Sequence, residues 1–376
     1  MKHISTSLMI VALLSMASCQ TPNGNREDRD IESWAENFEE SMDQFAEFMS
    51  DFGDSMAEFT DTVIDLYCDE IDNGTSSLDD SVIINYCYKD KSIKIKRGRN
   101  IKLGKNDKYL LCKFPAINYN SLSVNYSFKV VMCDTVDSVV VRINEKLKNH
   151  LNVRYNKGCL EIGLNHVSGI NMEDNVVCGY VYLPYNRKLN DIEINGTSVF
   201  RTNLPISTGS FSLDLAGATQ FSAPAIIANS ISVDINGTSI CSAKLKAKEV
   251  ELELNGASRY KGCVAANNMD LDVSGISNLN AVVNARKIVA DVSGASEVTL
   301  TGKTYEMDLD VSGTSSFTGS KNDAEIISGS LSGASHAVVN CSKLLDMEVS
   351  GTSSLYYNGN PTTKIEKSST ATVRKR

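Results

Sequence analysis

The residues of this chain whose types and spacing could do chemistry are eight carboxylates set at a nearly constant interval: Glu193, Asp214, Asp234, Glu253, Asp272, Asp291, Asp310 and Glu348. Each lies three residues before a glycine, and the nine glycines of that series are Gly196, Gly217, Gly237, Gly256, Gly275, Gly294, Gly313, Gly333 and Gly351, with Ser330 replacing the acid in one copy. The gaps between them are 21, 20, 19, 19, 19, 19, 20 and 18 residues. Recurring carboxylates can bind cations, exchange protons or keep a face hydrated. The six central acids, Asp214, Asp234, Glu253, Asp272, Asp291 and Asp310, form the candidate acidic face. Their regularity singles out no acid–base pair, so no catalytic residue is assigned. Nothing else supplies catalytic machinery. His150, His166 and His336 are far apart, and there is no GxSxG, HExxH or phosphate loop.

The element that positions these acids is legible around each glycine. Two residues before it the side chain is always aliphatic, from Ile194 and Leu215 to Val349; four before, it is apolar in eight of nine copies. Apolar, acidic, apolar is the period-2 pattern of a strand with one buried face. Two residues after each glycine comes a hydroxyl, from Ser198 and Thr219 to Ser353, and four after it an apolar residue begins a second strand. A third short strand is expected before the next copy, as in Ala225–Ala228 and Lys287–Val289. A unit of about 20 residues is too short for a strand–helix–strand crossover and fits one coil of a parallel β-helix. Nine such coils would make a rod on the order of 43 Å, with hydroxyls in one ladder and carboxylates in another.

Carboxylates stacked about 4.8 Å apart repel by roughly 0.9 kcal/mol even at the dielectric constant of water. Three offsets are open: bases on the preceding strand (Lys246, Lys248, Arg286, Lys287, Lys303, Lys343), backbone amides of the glycine turn, or bound Ca²⁺. The nonapeptide of calcium-binding β-rolls is absent, so no metal and no cofactor is assigned.

The phrases Ile194-Asn195-Gly196-Thr197-Ser198, Val273-Ser274-Gly275-Ile276-Ser277 and Val311-Ser312-Gly313-Thr314-Ser315 resemble the head-GIN-domain family of Bacteroidetes lipoproteins, also described as putative auto-transporter adhesins. The resemblance covers roughly residues 110–376, from an opening segment at 117–162, whose Leu160-Glu161-Ile162 strand leads into the coils, to a closing coil at 359–373. It implies a right-handed parallel β-helix, a binding or adhesive role and no established enzymatic activity. The fold class expected is therefore all-β, a right-handed parallel β-helix preceded by an acidic N-terminal helix.

Residues 1–19 read as a lipoprotein signal peptide: Lys2, an apolar run from Leu8 to Leu14, then Met16-Ala17-Ser18 before Cys19, the expected lipidation site. The run is too short to span a bilayer, and acyl chains on Cys19 would supply the membrane contact. Gln20 lacks the aspartate of the inner-membrane retention rule, so an outer-membrane anchor, on its periplasmic or cell-surface side, is expected.

Residues 20–70 follow as an acidic amphipathic helix or stalk. Between 27 and 70 there are 16 acids and one base, against a net charge of −9 for all 376 residues. Ala35, Met42, Met49, Met56 and Val63 alternate with Phe38, Phe45, Phe52, Phe59 and Leu66 in a heptad. This seam over 31–66 either joins chains into a homo-oligomer or packs on its own β-helix. A basic, strand-rich connector over 71–110 separates it from the β-helix domain at 111–376. Nucleic acid is not an expected partner of an exported acidic chain. A glycan or a protein is.

Nine cysteines follow Cys19 without zinc spacing. Cys159 with Cys178 and Cys241 with Cys263 lie about one coil apart, and Cys241, in an apolar column, reads as a buried thiol. The sequence thus points to a cell-envelope lipoprotein whose β-helix presents a non-catalytic binding or adhesive surface. The rivals are a polysaccharide-cleaving β-helix enzyme and a ligand-free envelope spacer.

Overall fold

The computed structural model describes residues 100–376 apart from 116, 117, 166 and 168, all within a compact unit spanning Ser81–Arg376. The signal peptide with Cys19, the acidic segment 20–70, the connector up to residue 99, Cys68, Cys87 and His166 lie outside the described residues. The described chain is almost all strand, with one 3-10 segment at Glu145–His150.

The strands stack in parallel with equivalent residues of successive coils in register. Asp191–Gly196 pairs with Ser210–Gly217, which pairs with Ser230–Ile235, then Glu249–Leu254, and so on to Thr362–Lys367. Side chains alternate inward and outward, so the aliphatic columns fuse into one core: Ile194, Leu215, Ile235, Leu254, Val273, Val292, Val311, Leu331 and Val349 are buried. The hydroxyl column is buried too, from Ser198 through Ser353. Its members satisfy one another across coils, Thr219 Oγ1 donating to Ser239 Oγ at 3.0 Å and Ser335 Oγ to Ser353 Oγ at 3.2 Å. Aromatic rings use the same stacking, with Phe200 and Phe221 parallel at 5.2 Å between centroids.

Register is pinned at the glycine turn. All nine glycines have φ between +65° and +101°, the region that a side chain disfavours. A Cβ on any of them would lie 2.2–2.6 Å from the carbonyl oxygen of the equivalent residue one coil below. That oxygen accepts a hydrogen bond from the N–H following the glycine above, as from Ala295 to Gly275 at 2.8 Å. Glycine is thus required twice, by conformation and by the closeness of the coils.

The structure departs from expectation in two places. The third strands are not separate: Ala225–Ile227 ends the strand Gln220–Ile227, and Lys287–Val289 lies inside Asn278–Val292. Small residues such as Ala265, Ala266, Ala285 and Gly302 sit where the long strands turn from one sheet to the next, so the ladder bends without breaking. Secondly, Leu160-Glu161-Ile162 does not lead into the coils. It stacks on Ser121–Val124, which stacks on Asp191–Gly196 with partners 70 residues apart in sequence. The intervening chain is used to cap the open end. Leu151–Asn156 covers one sheet antiparallel to Cys159–Leu164, and Val139–Asn144 covers the other, antiparallel to Gly179–Pro184 and to Tyr109–Phe114. A stacked coil ends in unpaired backbone groups, and antiparallel strands close that edge. The strand Tyr109–Phe114 runs across the expected domain boundary at 110. The seven described cysteines are free. Cys241 is in register with Tyr260, and Cys263 with Lys244, so the expected neighbours are three residues apart along the ladder. Cys159 pairs in register with Ser121, while Cys178 lies just before the strand Gly179–Pro184. Cys241 is the fully buried thiol its column implied.

Gly294→Ala should destabilise the protein by about 2 kcal/mol or more, since it adds strain at positive φ and a backbone clash. Gly209→Ala, where a Cβ would meet nothing within 4 Å, should be neutral or stabilise by up to about 1 kcal/mol. Urea denaturation of both variants checks the contrast; equal midpoints would contradict the turn analysis.

Candidate functional site: the outer face of the first sheet

The strand before each glycine points its aliphatic residues inward, and so turns the intervening positions outward onto one flat face. The carboxylate column is continuous there. Glu193, Asp214, Asp234, Glu253, Asp272, Asp291 and Asp310 are in register on seven successive coils, followed by Ser330 and Glu348. All are exposed or half-buried. The sequence reading missed a second acidic column five residues before the glycine, with Asp191, Glu251, Asp270, Asp308 and Asp346 among serines and Val289. Its signal was the same period, diluted by those non-acidic members. Beside it lies an open concavity of about 740 Å³ whose lining includes Ser210, Ser230, Glu249, Glu251, Asp270 and Lys287.

Stacking carboxylates has the expected electrostatic consequence. Burial, and then the neighbouring acids, raise Asp214, Glu253 and Asp291 above their ordinary values; Asp234 and Glu193 act on Asp214, and Asp272 and Asp310 on Asp291. The offset comes from neutral donors. Asn236 Nδ2 donates to Asp234 at 2.7 Å, Asn195 Nδ2 and Ser123 Oγ donate to Glu193 at 2.8 and 3.1 Å, and Ser330 Oγ donates to Asp310 at 2.5 Å. Two of the expected bases are engaged elsewhere, Lys287 with Glu306 at 3.0 Å and Lys343 with Glu325 at 2.5 Å. The turn amides on either side of the glycines belong to the inter-coil ladder, as in Asn255 N–H to Ile235 and Ala257 N–H to Gly237. Lys287 and Lys343 thus reach sideways to nearer acids, and these turn amides are already bonded between coils.

Among the described residues no group of three or more His, Cys, Asp or Glu side chains is arranged to hold a metal. Two histidines are described. His150 Nδ1 is 3.0 Å from the Asn165 carbonyl, and His336 packs on Tyr356 on a different outer column. Neither approaches the acidic columns in register. What the face can do chemically is present a dense, periodic array of acceptors with amide and hydroxyl donors among them.

An acid whose folded value is raised binds its proton more tightly in the folded state, so stability falls as pH rises through the interval between its ordinary and raised values. Asp291→Asn should therefore stabilise the protein at pH 7 by a few tenths of a kcal/mol, since the site is largely solvated. The gain should fade below the ordinary aspartate value of 3.8. Thermal melts of both proteins at pH 3, 5 and 7 test this, and a gain independent of pH would contradict it.

The chain is similar to proteins already described. A family model described as "putative auto-transporter adhesin, head GIN domain" matches residues 118–263 and again 259–361. The crystal structure of a putative adhesin from Parabacteroides distasonis ATCC 8503 is 18% identical, with 74% of this chain and 100% of that chain covered, at a TM-score of 0.44. A putative adhesin from Parabacteroides merdae ATCC 43184 is 13% identical over 73% of this chain and 99% of that one, at 0.39. A putative lipid binding protein from Parabacteroides distasonis ATCC 8503 is also 13% identical, over 73% and 99%, at 0.41. No curated protein matches the chain. With coils, glycine turns and family match on the same residues, the chain belongs to the head-GIN-domain family of putative auto-transporter adhesins.

Proposed function

We propose that this chain is a lipid-anchored protein of the cell envelope whose β-helix presents a non-catalytic binding or adhesive surface. The observation that carries this reading is the register of the outer columns. Side chains of one kind repeat coil after coil on a flat face, which suits an extended ligand touched at many equivalent points. The family's description as adhesins supports the same role.

The anchor rests on the sequence. Cys19 follows a short apolar run and small residues, and acylation there would tether the chain at the outer membrane. No helix of the described residues is long and apolar enough to cross a membrane. Within residues 20–70, the heptad seam over 31–66 would serve either as an oligomerising stalk or as a helix packed on its own chain.

Two measurements test the reading. Cys19→Ser should abolish incorporation of an alkyne-palmitate label and release the chain from the membrane fraction; continued labelling would refute the anchor. On an array of glycans and extracellular-matrix proteins, with and without Ca²⁺, the protein should bind one ligand class saturably and release no product. Product release would identify an enzyme, and silence across the array would favour a spacer.

A further inference from the structure

At the capped end a tyrosine takes the place of the turn glycine, and we propose that this interruption is a binding site for neutral oligosaccharides centred on Tyr126. The inference rests on the reading of the β-helix as a binding surface and names one site and one ligand class on it.

Tyr126 stands where the next nine coils have glycine. Its carbonyl accepts the Thr197 N–H at 2.7 Å, as each glycine carbonyl accepts the corresponding N–H above it. Its φ is +80°, and a bulky residue at positive φ is an outlier that strains the backbone. Glycine would relieve that strain, as it does at nine other turns. What tyrosine adds is a ring. It leans over Gly163, where a methyl group would meet Cδ2 at 3.9 Å, yet the residue stays 38% exposed.

The ring forms part of the wall of a concavity of about 620 Å³, shared with Asn125, Asn152, Asn165, Glu161 and Glu193. Several of the polar groups are held in place. Glu193 accepts from Ser123 and Asn195, and Asn152 Oδ1 accepts from Arg154 Nε at 2.7 Å. Glu161 and Asn165, both half-buried, add a carboxylate and an amide to the same wall. An aromatic face beside carboxylates and amides is complementary to a pyranose, whose C–H face covers the ring while its hydroxyls bond the acceptors. Glu161 and Glu193 are the charged residues of the wall, while Arg154, opposite Glu161 in register, is turned to Asn152 and is not part of it, so the wall disfavours sulfated, sialylated or uronate-bearing chains. The ligand is therefore a neutral hexose or N-acetylhexosamine oligomer.

The test uses the full-length protein in a non-glycosidic detergent, on an array of neutral hexose and N-acetylhexosamine oligosaccharides beside sialylated and sulfated ones, followed by calorimetry on the best neutral probe. Tyr126→Gly should weaken that binding at least about tenfold, by removing the stacking surface, while the melting temperature stays level or rises. Glu161→Gln, away from the turn, should weaken it as well, whereas Tyr126→Phe, which keeps the ring, should not. Glycan binding that survives Tyr126→Gly and Glu161→Gln, or that prefers anionic chains, would overturn this site and leave the broader binding reading standing. A protein that binds no glycan but retains a matrix protein would also overturn the proposal alone; one that binds nothing would overturn both.

Discussion

The structure depends on one close approach: the carbonyl of each turn glycine meets the N–H of the next coil where no Cβ has room. The N–H following the glycine donates at 2.7–2.8 Å nine times in succession, the lowest to Tyr126 and the rest to glycines. Because side chains alternate along a strand, a slip of one residue would exchange buried and exposed columns. The turn prevents the slip, since only glycine has both the conformation and the clearance. Downstream of it, the buried hydroxyls fall opposite hydroxyls, aliphatic residues opposite aliphatic residues and carboxylates opposite carboxylates.

Stacking like on like has opposite consequences inside and outside. Inside, it is favourable: rings lie parallel, methyl groups fill adjoining space, and serine hydroxyls bond one another where water is excluded. Outside, it places negative charges on adjacent coils, and desolvation with mutual repulsion raises Asp214, Glu253 and Asp291. Amides and hydroxyls from neighbouring columns moderate this without neutralising it. The face therefore stays charged and periodic, which suits display. Differentiated chemistry needs unlike neighbours, and register supplies like ones.

Unlike neighbours occur where the repeat is broken. At the capped end Tyr126 replaces glycine, Phe128 replaces the buried hydroxyl, and Ser123 separates Glu161 from Glu193 in the acidic column. A strained aromatic residue beside carboxylates and amides sets this coil apart from the nine glycine turns above it, and the functional inference follows from that difference.

Much of this was legible in the sequence. The glycine period, the aliphatic columns, the buried hydroxyls, the acidic ladder and the buried Cys241 are all local patterns: each residue's direction follows from its distance to the nearest glycine, and stacking merely repeats it. The rest depended on contacts between distant segments. Ser121–Val124 is the rung on which Asp191–Gly196 stacks, but the two lie 70 residues apart, so no period of about 20 points to it. The antiparallel caps, the continuous bent strands and the absence of disulfides between cysteines one coil apart follow from how the chain returns on itself. The same holds for Tyr126. In sequence it is an ordinary tyrosine after Val124-Asn125; only stacking on Gly196 reveals that it occupies a glycine's place. The sequence alone determined what each coil is, because a coil's pattern is set by short-range alternation. The tertiary structure decided where the coils begin and what closes them, because those depend on a long-range pairing that no local spacing encodes.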